Sequence, residues 1–241
     1  MISIVSPVYN SEDCLQKLVK EITFYGKKIT NKLEIILVDD GSQDNSWEKI
    51  VELKKKYKFI KGVKLNKNYG QHRAIYEGIK LSTKKLIIVM DCDLQDNPAY
   101  IVELYETYIK YKKPVIIRHS YKNFKLKDRI VSNIFWYFLS AISFKKFFPN
   151  LGNYLLIDNE VKKKYLSIPR IGYLYGDLIV QGNNFLEIEK IRSYGIRSNT
   201  TYNIQKLIYL GLNLIFKYNF LSLFLYNYKK KIKKISIEKI L

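Results

Sequence analysis

Short apolar runs alternate with stretches of helical spacing through the first half of the chain. Ile2–Ser6 is an apolar run ending at Pro7, and from Glu12 to near Phe24 the apolar residues Leu15, Leu18, Val19 and Ile22 mark one helix face. Leu33–Val38 is a second run, closed by Asp39, Asp40, Gly41 and Ser42, and Asp44–Tyr57 then reads as a helix capped by Asp44 or Asn45. Gly62–Leu65, Leu86–Met90 and Pro114–Arg118 read as further strands, with helices over Gly70–Leu81 and Pro98–Tyr111 between them. This alternation predicts an α/β fold: a mostly parallel central sheet with helices on both faces.

After about Tyr121 the pattern changes. Ile130–Phe148 is dense in Trp, Phe and Ile, which suits either a core helix or one lying at a membrane interface. Asn153–Ile157 and Phe185–Ile188 read as strands. Leu207–Tyr226 approaches the length of a membrane span, but Lys217, Asn213 and Asn219 interrupt it. Lys229, Lys230, Lys231, Lys233 and Lys234 follow, a cluster suited to an anionic leaflet. The expected division is a catalytic domain over 1–202 and an apolar helix with a basic tail over 203–241, amphipathic and membrane-proximal.

Composition narrows the class. A hydrophobic share of 47% excludes a disordered chain. Lys and Arg number 42 against 22 Asp and Glu, a net charge of +20 that points to a polyanionic partner: nucleic acid, a phosphorylated substrate or an anionic membrane. Part of that charge reflects a general bias toward Lys, Asn, Ile and Tyr. No nucleic-acid reader motif is present and the basic residues are scattered, so nucleic acid is not the expected partner. Cys14 and Cys92 make neither a disulfide framework nor a zinc site. The first residues lack a basic n-region and a cleavage site, so a cytoplasmic location is expected.

The candidate chemistry lies at the ends of the strands. In Asp91-Cys92-Asp93-Leu94-Gln95-Asp96, alternate side chains share a side, so Asp91, Asp93 and Gln95 can face one site. Oxygen ligands of this kind suit Mg²⁺ or Mn²⁺ on a diphosphate. A D-x-D alone is equally a solvated turn. Three further segments change the balance: Pro7-Val8-Tyr9-Asn10-Ser11-Glu12, Asp39-Asp40-Gly41-Ser42-Gln43-Asp44, and Asn66-Lys67-Asn68-Tyr69-Gly70-Gln71-His72. Each follows a strand, so all four can converge on one crevice at the carboxyl edge of the sheet.

These segments resemble the family-2 glycosyltransferases of GT-A fold. The Asp-Cys-Asp-Leu-Gln-Asp-Asn-Pro form and the preceding Gly70-Gln71-His72 resemble the branch that moves sugars onto polyprenyl phosphate, the dolichyl-phosphate mannosyltransferase and undecaprenyl-phosphate glycosyltransferase group. The likeness is strong over residues 1–118 and weaker beyond. It implies that Pro7, Tyr9 and Glu12 border the nucleobase and ribose of a nucleotide-sugar donor. Asp39 would accept a hydrogen bond from the base with Asp40 beside it, and Lys67, Gly70 and Gln71 would approach the nucleotide. Asp91 and Asp93, with Gln95, would hold the metal, and Arg118 and Arg129 would face phosphates. Arg197–Leu207 resembles the family's later R-x-x-G-x-S-x-Y-x-x-x-K-L region, without the glycine expected two residues before Thr200 and with Arg197 displaced.

The resemblance implies an inverting, metal-dependent enzyme with a polyprenyl phosphate acceptor at the cytoplasmic membrane face. A lipid phosphate is already an anion and needs no general base. A sugar hydroxyl on a lipid-linked glycan, the alternative acceptor in surface-polysaccharide assembly, needs a carboxylate base, for which Asp177 is the nearest candidate. Asp177 is otherwise a helix-capping or surface residue. His72 would support the nucleotide loop and His119 would sit on a polar rim. A peripheral enzyme is expected, with a membrane partner subunit or a homodimer as the protein partner.

Overall fold

The computed structural model describes residues 1–120, 126–145, 147, 151–168, 171–191, 212, 214–218 and 236–241. The elements run β1 (Ile2–Val8), α1 (Glu12–Ile29), β2 (Leu33–Asp39), α2 (Ser46–Lys56), β3 (Ile60–Leu65), α3 (Gln71–Leu81), β4 (Leu86–Val89) and α4 (Tyr100–Tyr111). They continue with β5 (Val115–His119), α5 (Leu126–Ser143), β6 (Leu151–Asp158), α6 (Asn159–Leu166), α7 (Leu174–Val180), β7 (Leu186–Lys190) and β8 (Ile237–Ile240). One eight-stranded sheet has the order β7-β5-β6-β4-β1-β2-β3-β8.

The expected parallel core is present: β1 pairs in parallel with β2 and β4, and β2 with β3. The sheet as a whole is mostly parallel but mixed: β1 to β5 and β7 share one direction. β6 runs antiparallel between β4 and β5, and β8 runs antiparallel along the outer edge of β3. Strand direction follows from pairing partners that lie far apart in the chain, so local pattern does not reveal it.

Helices cover both faces, which is why β1 and β2 are buried at every position. On one face α1, α2 and α4 bury Leu15, Leu18, Ile50, Leu53, Ile101 and Leu104 against Ile4, Ile35 and Ile88. On the other, α3, α6 and α7 bury Ile75, Ile79, Val161, Tyr165 and Leu178 against Val5, Ile36 and Ile87. Alternate strand residues therefore serve opposite cores, the period-two rule of extended backbone. At the amino edge, Glu34 accepts hydrogen bonds from Ser3 and Thr83 and lies 3.4 Å from Lys61. Burial opposes ionisation there, but these donors and the Lys61 charge hold the carboxyl below its usual range.

The segment after residue 202 does not stand apart from this fold in its described parts. Ile237–Ile240 extends the sheet, and Tyr218 is buried in the second core among Phe147, Leu174 and Tyr175. Most of the apolar stretch Leu207–Tyr226 and the lysine cluster lie outside the described residues. Among the described residues, no helix is long and apolar enough to cross a membrane. Helix α5 turns two apolar faces outward and inward. Phe135, Trp136, Leu139 and Ile142 pack on the second core, while Ile130, Ile134, Tyr137 and Phe138 are 50% to 80% exposed.

Gly78 lets α3 approach the sheet. A Cβ there would lie 2.4 Å from Val5 Cγ1 and 3.1 Å from Val38 Cγ2. Overpacking of this kind costs about 1–3 kcal/mol. Gly78→Ala is therefore expected to lower the urea midpoint at unchanged m-value, and a wild-type midpoint would refute the close approach.

Candidate active site

The order β4-β1-β2-β3 places a topological switch between β1 and β4, because the chain leaves β1 toward β2 and returns on its other side. Ligands of open α/β sheets lie outside the carboxyl ends of the strands at such a switch. The four segments singled out in the sequence meet along this edge.

The first two loops are laced together. The Asn10 amide donates to Ser42 Oγ at 2.9 Å, and Gln43 N donates to Asn10 Oδ1 at 2.8 Å. The Glu12 carboxylate accepts from Asn45 N at 2.9 Å, while Asp44 accepts from Glu12 N at 3.3 Å. The starts of α1 and α2 thus cap each other, which occupies Glu12 in holding the loops. Pro7 lies within β1, paired with Val38, and Tyr9 is 38% exposed just beyond the strand.

Asp40 joins the second loop to the third. Its two oxygens accept from Tyr69 N and Gly70 N, each at 2.8 Å. Burial lifts its carboxyl to about 6, with these donors and the Arg73 charge pulling it down and Asp39 adding to the rise. Gly41 makes the same joint sterically possible. It has φ +70°, and a Cβ on it would lie 2.5 Å from the Lys67 carbonyl carbon and 2.6 Å from Asn68 N. Gly70 has φ +94° at the start of α3, a conformation open to glycine at little cost. Lys67 is exposed, its Nζ 5.3 Å from the centre of the Tyr69 ring.

Asp39 is fully buried. Oδ1 accepts from Ser42 N at 3.2 Å, and Oδ2 has no hydrogen-bond partner among the described residues. Burial raises its pKa despite Ser42. Buried polar atoms without partners cost about 1–3 kcal/mol each, so they mark places where a ligand supplies the partner. Ser6 Oγ, His72 Nδ1 and Asn153 Oδ1 share this condition, and all lie toward the same edge.

After β4 the backbone leaves extended geometry one residue earlier than the apolar run suggests. Leu94 adopts φ +61°, yet burial still alternates: Cys92, Leu94 and Asp96 point into the protein while Asp91, Asp93 and Gln95 are half-buried. Gln71 Nε2 donates to Asp91 Oδ1 at 2.6 Å, and Gln95 N donates to Asp93 Oδ1 at 3.0 Å. Gln71 thus meets the Asp91 carboxylate directly. Among the described residues no three acidic, His or Cys side chains form a metal cage. Two carboxylates of hard oxygen donors fit Mg²⁺ or Mn²⁺ that take their remaining ligands from phosphate and water. Cys92 Sγ lies 3.3 Å from Ser11 Oγ, and burial pushes its thiol up to about 12, which makes it inert packing.

Other residues fall differently from expectation. His119 is buried rather than on a rim, with Nε2 3.5 Å from Asp96 Oδ1, and Asp96 Oδ2 lies 3.5 Å from Asp91 N. Sequence reasoning passed over this Asp96–His119 support. Asp96 falls on the buried parity of the loop, which was the available signal. Arg118 is paired at 3.4 Å with both Glu187 and Glu189 of β7. Arg129 lies on α5 with its side chain outside the described residues, and so does all of Arg197. His72 is pushed down to about 4 by burial and by Lys217, so it is neutral, and its ring lies 5.4 Å from that of Tyr173. Asp177 is neither a surface residue nor a poised base. It is fully buried and accepts from Lys217 Nζ at 2.5 Å, Tyr218 Oη at 2.7 Å and Gly172 N at 2.8 Å.

The raised Asp40 pKa has a definite sign. Its contribution to stability is complete below its ordinary value of 3.8 and is lost as pH rises through about 6. In urea unfolding, wild-type stability minus that of Asp40→Asn is expected to fall between about pH 4 and about pH 6. A flat difference would show that Asp40 titrates normally.

Comparison with known proteins agrees with this geometry. The family model described as Glycosyl transferase family 2 matches residues 3–164. An uncharacterized glycosyltransferase of Synechocystis sp. is 28% identical over 229 residues, covering 94% of this chain and 72% of that protein. Among solved structures, glucosyl-3-phosphoglycerate synthase of Mycobacterium tuberculosis superposes with a TM-score of 0.65 at 14% identity, over 89% of this chain and 77% of that one. A mannosyltransferase of Pyrobaculum calidifontis gives 0.58 at 13% identity, and the match spans 82% of this chain and 57% of that protein. The fold, the switch-point site and the matched family model agree, and the chain belongs to glycosyl transferase family 2.

Proposed function

We propose that this glycosyltransferase moves a sugar from a nucleotide-sugar donor to a polyprenyl phosphate at the cytoplasmic face of a membrane, with inversion at the anomeric carbon. The observation that carries the choice of acceptor is the state of Asp177. The carboxylate nearest to a general-base role is buried and committed to Lys217, Tyr218 and Gly172. An acceptor that arrives as an anion needs no such base.

In this reading Asp39 Oδ2, which has no partner among the described residues, accepts an N–H of the nucleobase, beside Tyr9 and Pro7. Lys67 and the Gly70 turn approach the ribose and phosphates, with Asp40 and Glu12 holding the loops that carry them. Asp91 and Asp93, with Gln95 beside them, hold Mg²⁺ or Mn²⁺, which when bound neutralises the diphosphate that departs. The solved mannosyltransferase contains GDP-Man with Mn²⁺ and the phosphoglycerate synthase contains UDP with Mn²⁺, in support of such a donor. A phosphate oxygen of the acceptor attacks the anomeric carbon as the bond to the nucleoside diphosphate breaks, and no proton moves. Arg118 and Arg129 are the cations proposed for the acceptor phosphate. The chain contributes alignment and charge, the main resources for this step.

The membrane part rests on the bare face of α5 and the net charge of +20. Ile130, Ile134, Tyr137 and Phe138 recur at helical spacing, as on an interfacial helix. In flotation with phosphatidylglycerol vesicles, the wild-type chain is expected to bind and Tyr137→Ser/Phe138→Ser to bind more than about tenfold less, from the apolar area lost. Equal flotation of both would remove α5 from the membrane.

The decisive assay is transfer of label from UDP-, GDP- and dTDP-sugars into organic-extractable lipid, with undecaprenyl phosphate and Mn²⁺ or Mg²⁺. Label is expected in the lipid phase, reduced by at least about 10²-fold in Asp93→Ala. Donor hydrolysis without lipid label would move the acceptor to a sugar hydroxyl, and absence of nucleotide binding would end the reading.

A further inference from the structure

Lys217 and Tyr218 lie far along the chain from the four strand-end loops, yet both enter the second core beside the site. Two glycines make room for them. A Cβ on Gly172 would lie 1.8 Å from Lys217 Nζ, and one on Gly176 would lie 2.7 Å from the Tyr218 ring. Any larger residue at either position would displace these side chains. Tyr218 is 1% exposed and packs against Phe147 with ring centroids 5.6 Å apart.

What they grip is the corner before α7. Lys217 Nζ and Tyr218 Oη both reach Asp177 Oδ1, and Tyr218 Oη also lies 3.0 Å from the Tyr173 carbonyl oxygen. The other Asp177 oxygen accepts from Gly172 N, and Asp177 N donates to the Tyr173 carbonyl at 2.9 Å. The Gly172–Tyr173 corner is thus held from both sides. Tyr173 in turn packs against His72 at 5.4 Å and Trp136 at 6.2 Å, and its hydroxyl donates to the Leu151 carbonyl. His72 follows Gln71, whose amide holds Asp91. Burial raises the Tyr173 hydroxyl pKa, with neighbouring Tyr175 and the Asp91 charge adding to it.

We propose that Lys217 and Tyr218 are positioning residues: through Asp177 they clamp the Gly172–Tyr173 corner against the start of α3 and so set the Gln71–Asp91 contact of the donor site. The C-terminal segment is then part of the catalytic unit. A single partner removed from a buried ion pair leaves the other charge uncompensated, so the clamp is sensitive to either end. The proposal rests on the donor-site reading above for its functional half and on geometry alone for its structural half.

The test uses the full chain with Lys217→Met and with Tyr218→Phe, which keeps the charges paired and removes only the hydroxyl. Hydrogen–deuterium exchange of the peptide over residues 171–178 and titration with Mn²⁺ plus UDP or GDP are read together. Loss of one buried hydrogen bond is worth about tenfold in a local opening equilibrium. Tyr218→Phe is expected to exchange about tenfold faster over 171–178 and to bind the nucleoside diphosphate about tenfold more weakly, and Lys217→Met to exceed both changes, with β1 and β2 exchange unchanged. Unchanged exchange over 171–178 overturns the clamp whatever the reaction. Faster exchange with unchanged nucleotide binding overturns the positioning role. If Lys217→Met does not fold, Tyr218→Phe decides alone. A wild-type chain that binds neither nucleotide overturns the proposed donor site, and with it the positioning role, while exchange still judges the clamp.

Discussion

The grip of the Asp40 carboxylate on the amides of Tyr69 and Gly70 is the constraint on which the carboxyl edge depends. Each loop there leaves a parallel strand and enters a helix, so none can pair with its neighbour as strands do. A buried acceptor with two oxygens joins the loop after β2 to the loop after β3, and Gly41 permits the backbone contact. Asn10, Glu12, Asp44 and Ser42 join the loops after β1 and β2 in the same manner. The segment after β4 is tied in through Gln71 to Asp91 and through Cys92 to Ser11. Side chains replace the missing ladder, and the result is one connected rim.

The two edges of the sheet treat buried polar groups differently. At the amino edge Glu34 is surrounded by Ser3, Thr83 and Lys61, a network that favours ionisation and stabilises. At the carboxyl edge Asp39 is buried with an oxygen that has no partner among the described residues, and Asp40 is held ionised against its raised pKa. Leu94 adds a left-handed backbone conformation at the same edge. Costs of this kind where the four loops meet suit a site arranged for ligand rather than for stability.

The described parts of the C-terminal segment contribute in two separate ways. Ile237–Ile240 covers the otherwise open edge of β3, with Asn66 N donating to the Ser236 carbonyl close to the nucleotide loop. Tyr218 fills a core position that Gly176 leaves vacant of side chain, and Lys217 the space over Gly172. Both contacts reach the neighbourhood of the site, so the described residues beyond 202 pack with the rest of the fold. The inward face of α5 reaches this region through Trp136, which packs on Phe147, itself in contact with Tyr218.

The sequence by itself determined the alternation of strands and helices through β5 and the four strand-end segments. It also determined the half-buried alternation of Asp91, Asp93 and Gln95. Those features are local: a period of two or of 3.6, a turn residue, a carboxylate at a strand end. The tertiary structure decided the antiparallel insertion of β6 and the edge strand β8, because strand pairing joins residues far apart in the chain. It also decided which polar groups find partners. Arg118 pairs with Glu187 and Glu189 while its side chain stays partly exposed, His119 lies buried on Asp96, and Asp177 is held by Lys217, a residue that sequence pattern placed in an apolar helix. Partnership of buried charges depends on which distant side chain can reach them without leaving another polar group unpaired, and only the packed fold settles that.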